Sequence, residues 1–265
     1  MAPFLHWPET MFTYVVEDKI LFTCDAFGAY GALNGKIFDD EVDIDFYLRE
    51  GKHYYANIVS PYATFVQRAI KKLGDINLEV KMIAPSHGPI YRKDISKILD
   101  FYYRLSAWVP EKKIVIVYGS MYGFTRKMVD FIKAELEKRN IPVKIFGASY
   151  SDLSDMITEL LDAPVWIIGS PTYDAQIYPP VLSVLHIVGT KRFKSRPVAL
   201  FGVFGWGGGA LQKLQKMLTE MRHEVLEPIV GSRGMPTKET YEQLKTLVDV
   251  VVKRYEEEIA KYEQL

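Results

Sequence analysis

The segment KKIVIVYGSMYGFTRKMVDFIKAELEKR, residues 112–139, decides the fold. Lys113 to Tyr118 is a β-branched run that stops at Gly119, and Thr125 to Arg139 carries Met128, Phe131, Ile132 and Leu136 at helical spacing. Strand, tight loop and helix therefore form one unit. The pattern then repeats: Val143 to Phe146 reads as strand, Asp152 to Leu161 as helix, Val165 to Gly169 as strand, Pro179 to Val188 as helix and Val198 to Gly202 as strand. A Gly-rich loop, a helix to about Met221, a short strand over Val225 to Ile229 and a long helix from Thr237 towards Tyr262 complete five β/α units. Strands this rich in Val and Ile, alternating with helices, predict an α/β fold with a doubly wound, five-stranded parallel sheet covered on both faces.

Upstream of this segment, the polar, Pro-containing stretch Pro110 to Lys113 marks a domain boundary, with domains over 1–110 and 111–265. The first domain is less regular. Met11 to Val16 and Ile20 to Thr23 flank Glu17-Asp18-Lys19 as a predicted hairpin. Helical patterns cover Phe46 to Ile58, Tyr62 to Leu73 and Lys93 to Trp108, and Val80 to Ala84 reads as a strand. Asp39, Asp40, Glu41, Asp43 and Asp45 form an acidic run, expected to be a solvated loop and helix N-terminus.

A length of 265 residues suits two domains, and 48% hydrophobic with 25% charged residues is the balance of a folded globular chain. Lys plus Arg and Asp plus Glu number 33 each, so net charge points to neither nucleic acid nor an anionic membrane. A single cysteine, Cys24, excludes an internal disulfide, a thiolate zinc cluster and a cysteine-ligated iron–sulfur centre within this chain. No run reaches 18 apolar residues and the first ten lack a signal-peptide pattern, so the expected location is the cytoplasm.

Chemistry concentrates in three loops. Ser120-Met121-Tyr122-Gly123-Phe124-Thr125 matches neither the Walker nor the dinucleotide glycine pattern. Its hydroxyls, together with loop amides and a helix N-terminus, suit a terminal phosphate monoester, and equally an ordinary helix N-cap. Ser170-Pro171-Thr172-Tyr173-Asp174 follows the third strand of the repeat, and Phe204-Gly205-Trp206-Gly207-Gly208-Gly209 the fourth. A doubly wound sheet places its ligand crevice at those strand ends. Tyr173 and Trp206 are thus candidates to flank a flat ring, or else surface aromatics.

With these three loops, residues 112–265 resemble the flavodoxin family, whose members bind FMN there. The resemblance implies that Ser120, Tyr122, Gly123 and Thr125 hold the phosphate, while Ser170 to Asp174 and Gly205 to Gly208 hold the isoalloxazine.

Five histidines, His6, His53, His87, His186 and His223, show no H-x-H or H-E-x-x-H spacing. Singly, His6, Asp25 and His87 read as polar loop residues beside predicted strands. Taken in order ahead of a flavodoxin-like domain, Leu5-His6-Trp7-Pro8, Thr23-Cys24-Asp25-Ala26 and Pro85-Ser86-His87-Gly88-Pro89 resemble the carboxyl-terminal half of the metallo-β-lactamase-like αββα domain of flavodiiron proteins. That resemblance implies a di-iron centre with His6 and His87 on different irons and Asp25 bridging, and FMN-driven reduction of O2 to water or NO to N2O. Imidazole and carboxylate ligands suit non-haem iron.

The family's H-x-E-x-D-H segment, which supplies most remaining ligands, would precede His6, where this sequence has only five residues. Three explanations fit this: a second chain carrying the segment, which is the preferred partner, with head-to-tail pairing of subunits; a fragment of a longer chain; or a chain that works alone and whose front segment is a relic. An electron donor such as rubredoxin or reduced deazaflavin is expected to be external, since this sequence has no Cys-x-x-Cys pair. His53, His186 and His223 are assigned structural or solvent-facing roles. The competing reading is a flavodoxin-like FMN electron carrier without di-iron catalysis.

Overall fold

The computed structural model describes residue 2 and residues 4–263. Two compact units divide the chain, Met1–Val109 and Pro110–Leu265.

In the first unit, β1 (Thr13–Val15) and β2 (Ile20–Cys24) form a hairpin, with Val15 opposite Ile20 and Thr13 opposite Phe22. Helix α1 (Ile44–Tyr54) starts at Asp43, whose carboxylate accepts from the amides of Asp45 and Phe46. A π turn over Tyr55–Val59 and a 3-10 turn over Ser60–Tyr62 carry the chain into α2 (Ala63–Asp75). Strand β3 (Met82–Pro85) pairs parallel with β2, and α3 (Ile95–Ser106) follows, capped by Asp94. Leu21 and Ile83, buried on one face of this small sheet, share a cleft with Ile70 and Leu73 of α2 and Leu99 of α3.

Asp43 and Asp45 are exposed at the start of α1 as expected, but the acidic run departs from expectation at Asp39. Asp39 is only 7% exposed, because its carboxylate accepts from the amides of Arg92, Lys93 and Asp94. Asp40 and Glu41 clasp Arg92, whose guanidinium stacks on Phe38. Asp39 thus fixes the loop ahead of α3, and Asp40 and Glu41, though exposed, pair with it through Arg92.

The second unit is the flavodoxin-like doubly wound sheet. Its strands are β4 (Ile114–Tyr118), β5 (Val143–Gly147), β6 (Val165–Tyr173), the short β7 (Gln176–Ile177), β8 (Pro197–Phe204) and β9 (Glu224–Arg233). The parallel order is β5-β4-β6-β8-β9, so the winding reverses beside β4. Helices α4 (Phe124–Glu137) and α8 (Lys238–Ala260) bury Met128, Ile132, Leu244 and Val248 with Ile116 and Ile167 in one core layer. Helices α5 (Leu153–Leu161), α6 (Pro179–Lys191) and α7 (Ala210–Glu220) supply Leu160, Leu185 and Leu214 to the other.

Three strands outrun the sequence reading. β6 continues to Tyr173 because β7 folds back on it, pairing Thr172 with Ile177 and Tyr173 with Gln176 around a turn in which Asp174 and Ala175 are both left-handed. The expected loop Ser170 to Tyr173 is therefore strand. β8 and β9 extend to Phe204 and Arg233, which pair beyond a register shift at Ala199/Phe201.

At the opposite, amino-terminal end of this sheet, Lys113 is held by Glu111 at 2.9 Å, Glu159 at 2.5 Å and Asp162 at 2.6 Å. Burial depresses its pKa, but these carboxylates more than reverse that and raise it. The three acids lie close enough together to chelate a metal, but the Lys113 ammonium already sits among them.

Candidate functional site

The crevice at the carboxyl ends of β4 and β6 is built by close backbone approach. The Gly119 amide donates to the Gly169 carbonyl at 2.9 Å, and the Tyr178 ring fills the place a Cβ on Gly119 would take. Beyond Gly119, Ser120 to Gly123 form the loop, and Gly123, with φ 81°, turns the chain into α4. Met121 and Tyr122 are exposed, Tyr122 at 81%, while Phe124 is half-buried and Thr125 buried. The hydroxyls of Ser120 and Thr125 are both buried without a hydrogen-bond partner. Orphaned donors of this kind are costly, so they mark a missing acceptor. The first amides of α4 point the same way, having no intrahelical acceptor. Together they fit a phosphate group.

The other two loops are tied to each other. The Thr172 hydroxyl accepts from the Ala210 amide at 3.4 Å, and Gly209, at φ 153°, lies so close to Ala175 that a Cβ would sit 2.6 Å from its carbonyl oxygen. Ser170 is fully buried: its hydroxyl donates to the Pro171 carbonyl at 2.9 Å and accepts from the Tyr178 amide at 3.1 Å. Ser170, Pro171 and Thr172 thus shape the crevice wall, while Tyr173 and Asp174 are exposed on it. Gly205, Gly207 and Gly208 are exposed, and Trp206 is 98% exposed. A Cβ on Gly205 or Gly207 would meet open space, so the protein's own packing does not demand glycine there.

Arg126 is missing from the sequence reading of this site. In the first turn of α4, its guanidinium donates to the Tyr118 hydroxyl at 2.9 Å and to Asp130 at 2.8 Å, and Tyr118 bonds Tyr150 at 2.7 Å. Only the αR geometry of the turn reveals this, since Arg126 and Asp130 alone spell an ordinary surface pair.

In the first unit, β2 and β3 deliver Asp25 and His87 from their carboxyl ends, while His6 lies in the segment ahead of β1. Asp25 follows β2 in a turn closed by the Ala26 amide to Thr23 at 3.2 Å and by the Thr23 hydroxyl to the Ala26 carbonyl at 2.8 Å. Its two oxygens face different imidazoles: Oδ2 lies 3.4 Å from His6 Nε2 and Oδ1 lies 4.0 Å from His87 Nε2. The three ligand atoms do not all fall within 4.8 Å of one another, so they do not converge on one ion. This spacing is compatible with a carboxylate shared between two metals. His87 Nδ1 donates to the Ala29 carbonyl at 3.0 Å, which leaves Nε2 available to a metal. Gly28 makes the ring's position possible, because a Cβ there would lie 2.3 Å from His87 Cε1.

Sequence reasoning also passed over Tyr54. Its ring meets that of His87 edge-on at 4.5 Å, and its buried hydroxyl has no partner. Burial, and then the Asp25 charge, hold the phenol well above its ordinary value, so it remains a donor. His223 is structural: it is buried, and its Nδ1 accepts from the Arg196 amide at 3.1 Å. His186 is exposed, and His53 lies edge-on to Tyr30 with Glu50 at 3.8 Å.

Comparison with known proteins agrees with both halves. The description "Flavodoxin" matches residues 116–246, and "ODP family beta lactamase" matches residues 1–88. Rubredoxin:oxygen oxidoreductase from Desulfovibrio gigas superposes with a TM-score of 0.93 at 30% identity, covering 98% of this chain and 65% of that one. The flavodiiron protein from Giardia intestinalis gives 0.92 at 27% identity, covering 98% and 64%. The chain belongs to the flavodiiron protein family. A nitric oxide reductase from Moorella thermoacetica is 40% identical over 225 residues, which is 85% of this chain and 56% of the relative. The chain therefore spans little more than half of that curated relative. FMN and a di-iron centre are the cofactors this family assignment brings. The orphaned Ser120 and Thr125 hydroxyls fit the FMN phosphate, and the divided Asp25 carboxylate fits a two-metal bridge, with three ligands of the larger set such a centre needs.

Proposed function

We propose that this chain is the FMN-bearing part of a flavodiiron oxidoreductase that reduces NO to N2O, O2 to water, or both, its iron site being completed by a second polypeptide that carries H-x-E-x-D-H. The observation that carries the reading is Asp25, with one carboxylate oxygen directed to His6 and the other to His87. A flavin supplies one-electron traffic and metals supply open positions for NO or O2. The chain's own residues do the rest. Ser120, Thr125 and the first amides of α4 anchor the phosphate, Tyr173 and Trp206 offer ring faces to the isoalloxazine, and the Ala29 carbonyl fixes His87 with Nε2 outward. Tyr54 places a neutral O–H donor beside His87. Two NO, two electrons and two protons yield N2O and water, with electrons from an external donor such as rubredoxin or reduced deazaflavin. Head-to-tail pairing of subunits would bring one subunit's flavin to the other's irons.

The competing reading, an FMN electron carrier without di-iron catalysis, draws on the contrast between three complete flavin loops and a partial iron ligand set. Flavin and iron analysis of the anaerobically purified chain separates the two. The test is made alone and with the portion of the Moorella thermoacetica reductase outside its 225-residue match. The proposal expects about one FMN per chain throughout, and iron with NO consumption only in the mixture. FMN without iron in both samples would leave the electron carrier, and a full complement of iron in the chain alone would remove the need for a partner.

A further inference from the structure

The loop from Gly205 to Gly208 is held by an arginine that no carboxylate neutralises. Arg233 is the last residue of β9 and pairs with Phe204, the last of β8, so its backbone is fixed where the loop begins. The Gly234 amide secures this end by donating to the Phe204 carbonyl at 2.9 Å, and Gly234, at φ 71°, turns the chain away. The side chain of Arg233 reaches across the strand pair, and its Nε donates to the Gly205 carbonyl at 3.0 Å. That bond to a backbone oxygen occupies one N–H donor and cancels none of the charge. Among the described residues no acid stands within ion-pair distance of the guanidinium. The other charges around the crevice are placed differently. Arg126 and Lys127 belong to α4, at the phosphate end, and Arg126 is already paired with Asp130. The β6–β7 hairpin carries one charge of each sign, Asp174 in its turn and Lys213 donating to Gln176 at its base. Arg233 is the uncompensated cation beside Trp206, the exposed ring that follows Gly205.

We propose that Arg233 sets the reduction potential of the bound flavin, its guanidinium on the Gly205 carbonyl favouring the reduced ring over the oxidised one. This rests on the reading of Gly205 to Gly208 as a wall of the flavin site. The oxidised isoalloxazine is neutral, and uptake of two electrons from the external donor with one proton from water leaves one negative charge on the ring. A cation fixed beside the ring therefore binds the reduced cofactor more tightly than the oxidised one, and linkage converts the ratio of those two affinities into a shift of potential. The phosphate acts in the opposite sense, since its negative charge disfavours a second one on the ring. Arg233 is the group this chain sets against it. The bond to Gly205 also keeps the guanidinium from swinging into solvent, where water and salt would screen it.

Two substitutions separate charge from support of the loop. Arg233→Gln keeps an N–H donor for the Gly205 carbonyl and loses the charge, whereas Arg233→Lys keeps the charge. For the full chain and both variants, the dissociation constants of oxidised FMN and of dithionite-reduced FMN are measured anaerobically, with the midpoint potential of the complex, at low and at high salt. In Arg233→Gln at low salt, affinity for oxidised FMN should stay within about threefold of wild type while affinity for reduced FMN falls about tenfold. The two-electron potential should then drop by about 30 mV, the equivalent of that factor. Arg233→Lys should stay within about threefold of wild type for both forms, and high salt should narrow the gap between wild type and Arg233→Gln. Equal weakening of both forms in Arg233→Gln would show that Arg233 only holds the loop, and an unmoved potential, or Arg233→Lys falling as low as Arg233→Gln, would equally overturn the proposal. These outcomes leave the flavin site standing. A wild-type chain that takes up neither form of FMN would instead sink the flavin site itself, and the role of Arg233 with it.

Discussion

Thr125 shows how a single residue can be poorly placed for folding and well placed for binding. Its hydroxyl is buried with nothing to donate to, which costs free energy in the protein without a ligand. Thr125→Val keeps the shape and removes that cost. FMN affinity, followed by fluorescence quenching, should fall by roughly tenfold to a hundredfold, while the apoprotein is unchanged or about 1 kcal/mol more stable. A variant that binds FMN as tightly as wild type would mean the hydroxyl does not face the phosphate. His223 makes a different wager. Burial first, offset in part by its bond to Arg196 and reinforced by that residue's charge, pulls its pKa from 6.5 to about 4. The folded state thus binds this proton less well than the unfolded chain. Its contribution is intact above 6.5 and is lost as pH falls through about 4, by up to roughly 3 kcal/mol. Urea midpoints should decline more steeply between pH 6.5 and 4 in wild type than in His223→Gln. Parallel profiles would show that His223 does not govern this acid limb.

Elements place the site by packing that leaves no room for a methyl group. Gly28, in the turn after β2, gives up its side-chain volume to the His87 ring, while its carbonyl accepts from the Tyr102 hydroxyl at 2.7 Å. Gly28→Ala must therefore move the imidazole or the turn, and it should uncouple His87 from the Ala29 carbonyl. The expected outcome is a displaced His87 Cε1 proton resonance and at least tenfold weaker metal uptake by the assembled protein, with FMN binding unaffected. An unchanged resonance would show that the turn yields instead. The element level is also where the sequence is most and least informative. Val115 and Ile116 in β4, or Met128 and Ile132 in α4, announce strand and helix by period alone, because each is buried on a regular surface. The continuation of β6 through Ser170 to Tyr173 was illegible, since it depends on β7 folding back and on Asp174 and Ala175 accepting left-handed backbone, for which neither carries a glycine signal. Asp39 was likewise unreadable: its amide partners lie more than fifty positions away. Tyr54 was missed because a tyrosine on the buried face of an amphipathic helix looks like core until His87 is seen against it.

At the scale of the whole molecule, the two units differ in how fully their sheets are covered. In residues 110–265, strand side chains on both faces are buried, from Val115 and Trp166 on one to Ile116 and Ile167 on the other. All three candidate flavin loops lie within that unit. In residues 1–109, Leu21 and Ile83 are buried by helices, but Phe22 on the opposite face is not. Hydrophobic burial scales with covered area, so the second unit holds enough core to fold by itself, whereas under the proposed function the first is completed by a partner. Residues 110–265, expressed alone, should therefore unfold cooperatively and bind FMN with the affinity of the full chain, within about threefold. Residues 1–109 alone should bind a hydrophobic dye and aggregate, and Phe22→Asp should reduce the aggregation while leaving far-UV ellipticity in place. Loss of FMN binding in the isolated second unit would mean that the first unit contributes directly to the flavin site, and the division of labour between an independent flavin module and a dependent iron module would fail with it.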